Sequence, residues 1–144
     1  MTEGHVLHAG ECELHTLGDS STATIKATED ATAGRFFLSE CNLAAGFPGP
    51  PPHVHDGLVD SFYVLEGTLT VTVGHEEVEL GPGAFACALP GQRHTFANRS
   101  GAPVRFLNIN APGGFERYMR DLAAAAGSGP MTSERMGSRP VVGS

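Results

Sequence analysis

The chain has 144 residues, of which 40% are hydrophobic and 17% charged, with 19 glycines, 10 prolines and a formal net charge of −7. That length suits one domain with a core of its own, and an acidic balance without any basic cluster argues against nucleic acid and anionic membrane as partners. No apolar run approaches the ~18 residues of a membrane span and no basic-then-apolar leader stands at the start, so a cytoplasmic protein is expected.

Taken in order, residues 5–17 read as a strand of mixed polarity, and His5, His8 and His15 within it read as surface or edge histidines. Residues 22–28 are rich in β-branched side chains and form the second expected strand. After a turn over 29–34, residues 35–43 form the third. The three cysteines, Cys12, Cys41 and Cys87, are odd in number and in no CxxC pair, and are expected as reduced thiols. Phe47-Pro48-Gly49-Pro50-Pro51-Pro52 cannot sit inside a central ladder, because proline lacks the N–H that a ladder needs. It reads as a rigid, extended approach to His53-Val54-His55.

Residues 60–66 form the next strand, and Gly67 turns it. In 68–73 Leu69, Val71 and Val73 alternate with Thr68, Thr70 and Thr72, and Gly74-His75 makes a hairpin with the returning strand 76–80. His75 is a solvated turn residue. Further strands are expected at 84–89, 94–98 and 104–110, separated by glycine and proline turns. Short strands with turns every 8–12 residues suggest an antiparallel sandwich or barrel. From Phe115 the apolar residues Tyr118, Met119, Leu122 and Ala126 follow helical spacing, so one amphipathic helix over 114–126 is expected on the outside of the barrel. Residues 127–144 lack periodicity and read as a flexible tail.

Chemistry concentrates around His53 and His55. Two histidines one residue apart on a strand point to the same face, and neutral imidazole is the commonest metal ligand among side chains. With seven histidines in the chain, about 0.3 such pairs arise by chance, so the pair alone is a weak signal. It gains weight from Asp60, which opens the Asp-Ser-Phe-Tyr-Val-Leu-Glu-Gly strand, and from His94 and Asn98 after a Pro-Gly turn. Asp60, Phe62 and Val64 share one strand face; His94, Phe96 and Asn98 share another. If both faces look inward, three histidines and a carboxylate converge, with Phe62 and Phe96 as apolar wall; Phe62, Phe96 and Phe106 are read as core, with pocket lining as the alternative. Asn98 is read as a hydrogen-bonding residue of the turn or strand end, with substrate contact as the alternative.

The stretch from Phe47 to Asn98 resembles the two motifs of the cupin superfamily. The first motif runs G-x5-H-x-H-x3-4-E-x6-G, and His53, His55, Asp60 and Gly67 fall at its positions. The second runs G-x5-P-x-G-x2-H-x3-N, and Gly83, Gly91, His94 and Asn98 match it. The fifteen residues between Gly67 and Gly83 suit a small single-domain cupin. The wording is similar to quercetin-dioxygenase-like cupins and to cupin-type polyketide cyclases. Phe47 stands where the first motif has glycine, and Leu89 where the second has proline. Asp60 replaces the usual glutamate ligand, and loses about 1.5 Å of reach with the missing methylene.

The resemblance implies an all-β double-stranded β-helix, a jelly-roll barrel spanning residues 1–126 with the C-terminal helix. It implies one divalent transition metal per chain (Fe, Ni, Mn, Cu or Zn) held by His53, His55, Asp60 and His94. Asp60 is expected to ligate directly, to bind through water, to orient a histidine, or to be purely structural; in a dioxygenase it would be ligand and catalytic base. Phe62, Phe96, Phe106 and Asn98 are the expected pocket residues. Three functions follow: a dioxygenase acting on a small aromatic or polyphenol substrate; a redox-neutral cyclase or isomerase of polyketide-like substrates, with the metal as Lewis acid; or a non-catalytic ligand-binding module. A homodimer is the family-based expectation.

Overall fold

The computed structural model describes residues 4–17, 20–115 and 138–140. Among them lie eleven strands: β1 (Glu13–Thr16), β2 (Thr22–Ala27), β3 (Phe37–Leu43), β4 (His53–His55), β5 (Val59–Glu66), β6 (Leu69–Val73), β7 (Glu76–Leu80), β8 (Phe85–Ala88), β9 (His94–Ala97), β10 (Val104–Ala111) and β11 (Ser138–Pro140). They form two antiparallel sheets. The larger runs β1-β2-β3-β10-β5-β8 and the smaller β11-β4-β9-β6-β7. Strands that are neighbours in sequence fall repeatedly in opposite sheets, the jelly-roll arrangement in which two sheets enclose one core.

Period-two alternation decides what faces inward. In β3, Phe37, Ser39, Cys41 and Leu43 are buried while the residues between them are half-buried. β10 pairs with both β3 and β5, setting Phe106 opposite Cys41 and Val64, and Asn110 opposite Phe37 and Asp60. In the smaller sheet the β6–β7 hairpin pairs Leu69 with Leu80 and Val71 with Val78, and β9 sets Phe96 against Val71. These inner faces meet in one core, in which Phe37, Leu43, Phe62, Val64, Leu69, Val71 and Phe106 are fully buried. Fully burying a side chain of this kind stabilises the fold by about 1.5–3 kcal/mol.

Several expectations shift. Of the strand expected over 5–17, only Glu13–Thr16 pairs with β2; the residues before it lack the alternation that would bury one face. In β8, whose parity the sequence leaves open, Ala86 and Ala88 face inward, while Cys87 lies opposite Ser61 on the same face as the exposed Phe85. Phe115, on the apolar face of the expected helix, is turned inward. It is buried, packs on Phe37 with ring centroids 5.7 Å apart, and belongs to the core. The rest of the expected helix over 114–126 lies outside the described residues. Within the segment expected as a tail, Ser138–Pro140 pairs antiparallel with β4, with Ser138 opposite His55 and Pro140 opposite His53. The remainder of that tail also lies outside the described residues.

Candidate metal centre

The Pro-rich segment forms a strap across the mouth of the barrel. The Asn98 backbone N–H donates to the Phe47 carbonyl at 2.9 Å, and the Thr95 hydroxyl donates to the Pro50 carbonyl at 2.5 Å. Gly49 makes this docking possible. Its φ is +79°, and a Cβ there would stand 1.7 Å from the Phe96 carbonyl oxygen. The strap delivers the chain into β4, where His53 stands directly opposite His94 of β9. His55, two residues on, shares the face. All three imidazoles therefore come from the smaller sheet. The carboxylate of Asp60 comes from β5 in the larger sheet and meets them across the interior.

One ligand atom from each of His53, His55, Asp60 and His94 lies within 4.8 Å of the others, a group that could hold a metal ion. His55, Asp60 and His94 are at most 4% exposed. Asp60 Oδ2 is 2.9 Å from His94 Nε2 and 3.5 Å from His55 Nε2. Backbone carbonyls set the rings. His53 Nδ1–H donates to the Pro51 carbonyl and His94 Nδ1–H to the Gln92 carbonyl, each at 2.9 Å. That leaves the Nε2 atoms of both rings for the centre, the arrangement in which a partner on one ring nitrogen orients the other for a metal.

The electrostatics agree with a cation site. Burial pushes the Asp60 carboxyl upward, but the imidazoles of His55 and His94 and the amide of Asn108 outweigh it and hold it well below the usual carboxylate range. Burial alone would lower His94; the Asp60 carboxylate more than reverses this and raises it. His53 has no such partner at hydrogen-bonding distance, and burial lowers it to about 4. So the site keeps a fixed anion, one imidazole paired to it and one imidazole held neutral. A carboxyl held low stays ionised, as a ligand to a cation requires. Three imidazoles and one carboxylate are donors that suit first-row transition metals, and adjacent donors 2.9–3.5 Å apart match the spacing expected for bonds of about 2.1 Å to one ion.

Beside the centre lies a cavity of about 340 Å³. His53, Asp60 and Asn108 supply its polar end, and Leu17, Phe47, Pro50, Pro51, Phe96 and Phe106 its apolar wall. Phe115 closes it further and stands edge-on to His55, ring centroids 5.5 Å apart. Cys41 also borders it; burial pushes this thiol to about 12, so it serves as an apolar surface.

Phe62 and Asn98 do not line the cavity, and Asn98 follows its first reading as a hydrogen-bonding residue of the turn or strand end. Phe62 is on the expected inner face but deeper, wedged against Phe96 and Phe106 at ring-centroid distances of 5.5 and 5.9 Å, as core beneath the cavity. Asn98 lies past the end of β9, fully buried, with its amide nitrogen 2.8–3.2 Å from the Leu43, Ala44 and Ala102 carbonyls. Its carboxamide oxygen accepts from Ser100. It clasps the turn to the strand end and does not face the cavity. The residues missed by sequence reasoning are Asn108 and Asn110. Both amide nitrogens lie 2.7 Å from Asp60 Oδ1. The available signal was the pair of asparagines at inward parity in the last apolar strand.

The family model for the cupin domain, Cupin_2, matches residues 39–110, which carry all four residues of the centre and both asparagines. Quercetin 2,3-dioxygenase of Bacillus subtilis (strain 168) is 27% identical over 118 residues, covering 82% of this chain and 34% of that protein. The tetracenomycin polyketide synthase protein TcmJ of Streptomyces glaucescens is 35% identical over 94 residues, covering 65% of this chain and 61% of that protein. The chain thus spans less than two thirds of either relative. Among solved structures, KdgF from Halomonas sp. is similar with a TM-score of 0.70 at 17% identity, covering 80% of this chain and 99% of that one. The polyketide cyclase RemF from Streptomyces resistomycificus is similar with a TM-score of 0.64 at 23% identity, covering 76% of this chain and 80% of that one. At such identities the two structures share the fold, and with the family model matching half of its length the chain belongs to the cupin domain family.

Proposed function

We propose that this cupin is a metal-dependent enzyme of dioxygenase type, acting on a small aromatic or polyphenol-like molecule seated in the cavity beside His53, His55, Asp60 and His94. The observation that carries the reading is that the four donors form one cluster and that two of them, His53 and Asp60, border an otherwise apolar, aromatic-walled cavity. The likeness to quercetin 2,3-dioxygenase over 82% of the chain supports the same class.

His53, His55 and His94 would hold a divalent transition metal through imidazole nitrogen and Asp60 through Oδ2. Such an ion supplies Lewis acidity toward a substrate hydroxyl or enol and, if redox-active, a route for electrons to O2. The chain's own residues do the rest. Phe47, Phe96 and Phe106 offer ring faces and edges that orient a flat apolar molecule. The strap of Pro50 and Pro51 narrows the mouth and limits water. Asp60 brings a negative charge to the centre.

A second reading has its own support: TcmJ, at 35% identity, is a polyketide synthase protein. In that reading the same site performs a redox-neutral cyclisation or isomerisation, with polarisation of a ketone as the only task of the metal. Metal analysis of the purified protein, followed by turnover of hydroxylated aromatic and polyketide-like substrates in air and under argon, separates the two. Turnover with oxygen uptake supports the dioxygenase. Equal turnover under argon, retained with zinc, overturns it in favour of the cyclase. Tight binding of aromatic ligands without turnover under either gas would leave a binding module.

A further inference from the structure

β10 brings two carboxamides to one carboxylate oxygen. Asn110 stands directly opposite Asp60 on β5, and Asn108 opposite Phe62, one pleat further along the same inner face. The amide nitrogen of each lies 2.7 Å from Asp60 Oδ1. Asn108 also donates to the Ser61 carbonyl at 2.9 Å, so both of its amide hydrogens are committed. The direction of these contacts is dictated by chemistry: an ionised carboxylate oxygen only accepts, so both side chains must turn their NH2 groups toward it. The two oxygens of Asp60 are thereby divided. Oδ1 is filled by the asparagines of its own sheet, and Oδ2 faces His94 and His55 of the other sheet.

We propose that Asn108 and Asn110 are positioning residues that make Asp60 a one-oxygen metal ligand. With Oδ1 held by two donors, the carboxylate cannot swing to offer both oxygens, and the place a second oxygen would take stays open for substrate. The pair also compensates the short aspartate side chain, since a flexible carboxylate at this position would lose part of its reach to alternative rotamers. The inference rests on the metal-dependent reading above. It adds to that reading two residues outside the ligand set and a ligand number for Asp60.

The test uses the full chain and zinc or cobalt(II) as probes. Zinc affinity is measured by competition with a chromogenic chelator for the wild type, Asn108→Leu, Asn110→Leu and each change combined with Asp60→Ala. The melting temperature of the chelator-stripped protein is followed in parallel. The expected result is a loss of zinc affinity of about 10–100-fold in each asparagine variant, the range typical for groups that orient metal ligands, and no further loss on the Asp60→Ala background. The visible spectrum of the cobalt-loaded protein is expected to weaken in both variants, as the freed oxygen raises the coordination number. A lowered melting temperature with unchanged zinc affinity and an unchanged cobalt spectrum would overturn the proposal and make the pair structural only. Should leucine at 110 prevent folding, Asn108→Ser at the less buried position reads the same quantities. A wild type that binds neither ion sinks the metal-dependent reading and this inference together, whereas zinc binding indifferent to both asparagines sinks the inference alone.

Discussion

Asp60 and His94 belong to opposite sheets and to strands 34 positions apart in sequence, yet Asp60 Oδ2 lies 2.9 Å from His94 Nε2. Because His94 Nδ1 already donates to the Gln92 carbonyl, the metal-free pair is satisfied only when Nε2 also carries a proton. The contact is then an imidazolium against a carboxylate, in line with the raised His94 and the lowered Asp60. A metal ion held by these residues would take the place of that proton.

Metal affinity should therefore increase with pH across the range in which His94 loses its proton, and level off above it. Calorimetric titration of zinc in buffers of differing ionisation enthalpy should show proton release on binding. His94→Gln should abolish the release and most of the affinity; release that persists in that variant would assign the proton elsewhere.

Stability of the metal-free protein should carry a second signature, from His53. Its pKa falls from 6.5 to about 4 on folding, so between these values the unfolded chain binds more protons than the native one. Stability then decreases as pH falls through that window. His94 has the opposite sign: its raised pKa contributes stability that is fully present below the unfolded value and is lost as pH rises through the folded one. Urea unfolding of chelator-treated protein at several pH values is expected to give a shallower acid limb in His53→Gln and a flatter upper limb in His94→Gln.

Gly49→Ala should be among the most damaging small substitutions. The added Cβ would meet the Phe96 carbonyl oxygen at 1.7 Å, at a φ of +79°, a backbone region that side chains other than glycine seldom adopt. The strap must lift from β9, and with it the Thr95–Pro50 contact and the cavity rim. A loss of about 2–4 kcal/mol is expected in denaturant unfolding, together with weaker binding of aromatic ligands. Gly57→Ala, with no atom near its would-be Cβ, is the control and should change little.

Asn98→Ala should destabilise without touching the metal. Removing its buried carboxamide takes a donor from the Leu43, Ala44 and Ala102 carbonyls, the last two of which keep the Phe47 N–H and the Ser100 hydroxyl, and an acceptor from the Ser100 N–H, at about 2–4 kcal/mol. Metal content per folded chain should stay at the wild-type value. A variant that folds normally but loses metal would place Asn98 back in the site.

Phe106→Ala should separate core from pocket. Phe106 is fully buried, packs on Phe62 and Phe96 and also borders the cavity. Truncation should cost about 3–5 kcal/mol and enlarge the cavity, shifting preference toward bulkier ligands in a binding series. Phe62→Ala, below the cavity, should cost a similar amount while the order of ligand preference stays as in the wild type.

What could be read before the structure depended on how local the signal was. The β6–β7 hairpin was legible because Leu69, Val71 and Val73 alternate strictly and Gly74 marks the turn. The donors His53, His55, Asp60 and His94 were legible because strand parity allows them to converge and the resemblance to the cupin motifs implies that they do. Parity alone does not give depth, so Phe62 and Phe96, both correctly placed on inner faces, separate into core and wall only once the sheets are packed. It also fails where a strand stops: Asn98 would continue the His94 face if β9 ran on, but β9 ends at Ala97 and the side chain turns to the strand ends. Asn108 and Asn110 show the opposite failure. Their inward parity was visible, but their partner is a carboxylate 48–50 residues away, and no local pattern announces such a pairing.

The four donors are split unevenly between the layers of the sandwich, three imidazoles on β4 and β9 against one carboxylate on β5. Any ion they share is thus a cross-link between two sheets that otherwise meet here through side-chain packing and the Asp60–His94 contact. Loading the site should bind sheet separation to chemistry: amide exchange in β5 and β9 should slow together, by a factor that tracks free metal concentration over its dissociation constant. The same coupling runs in reverse. A substitution far down the core that spreads the sheets apart would register first as a weaker hold on metal, before any loss of fold.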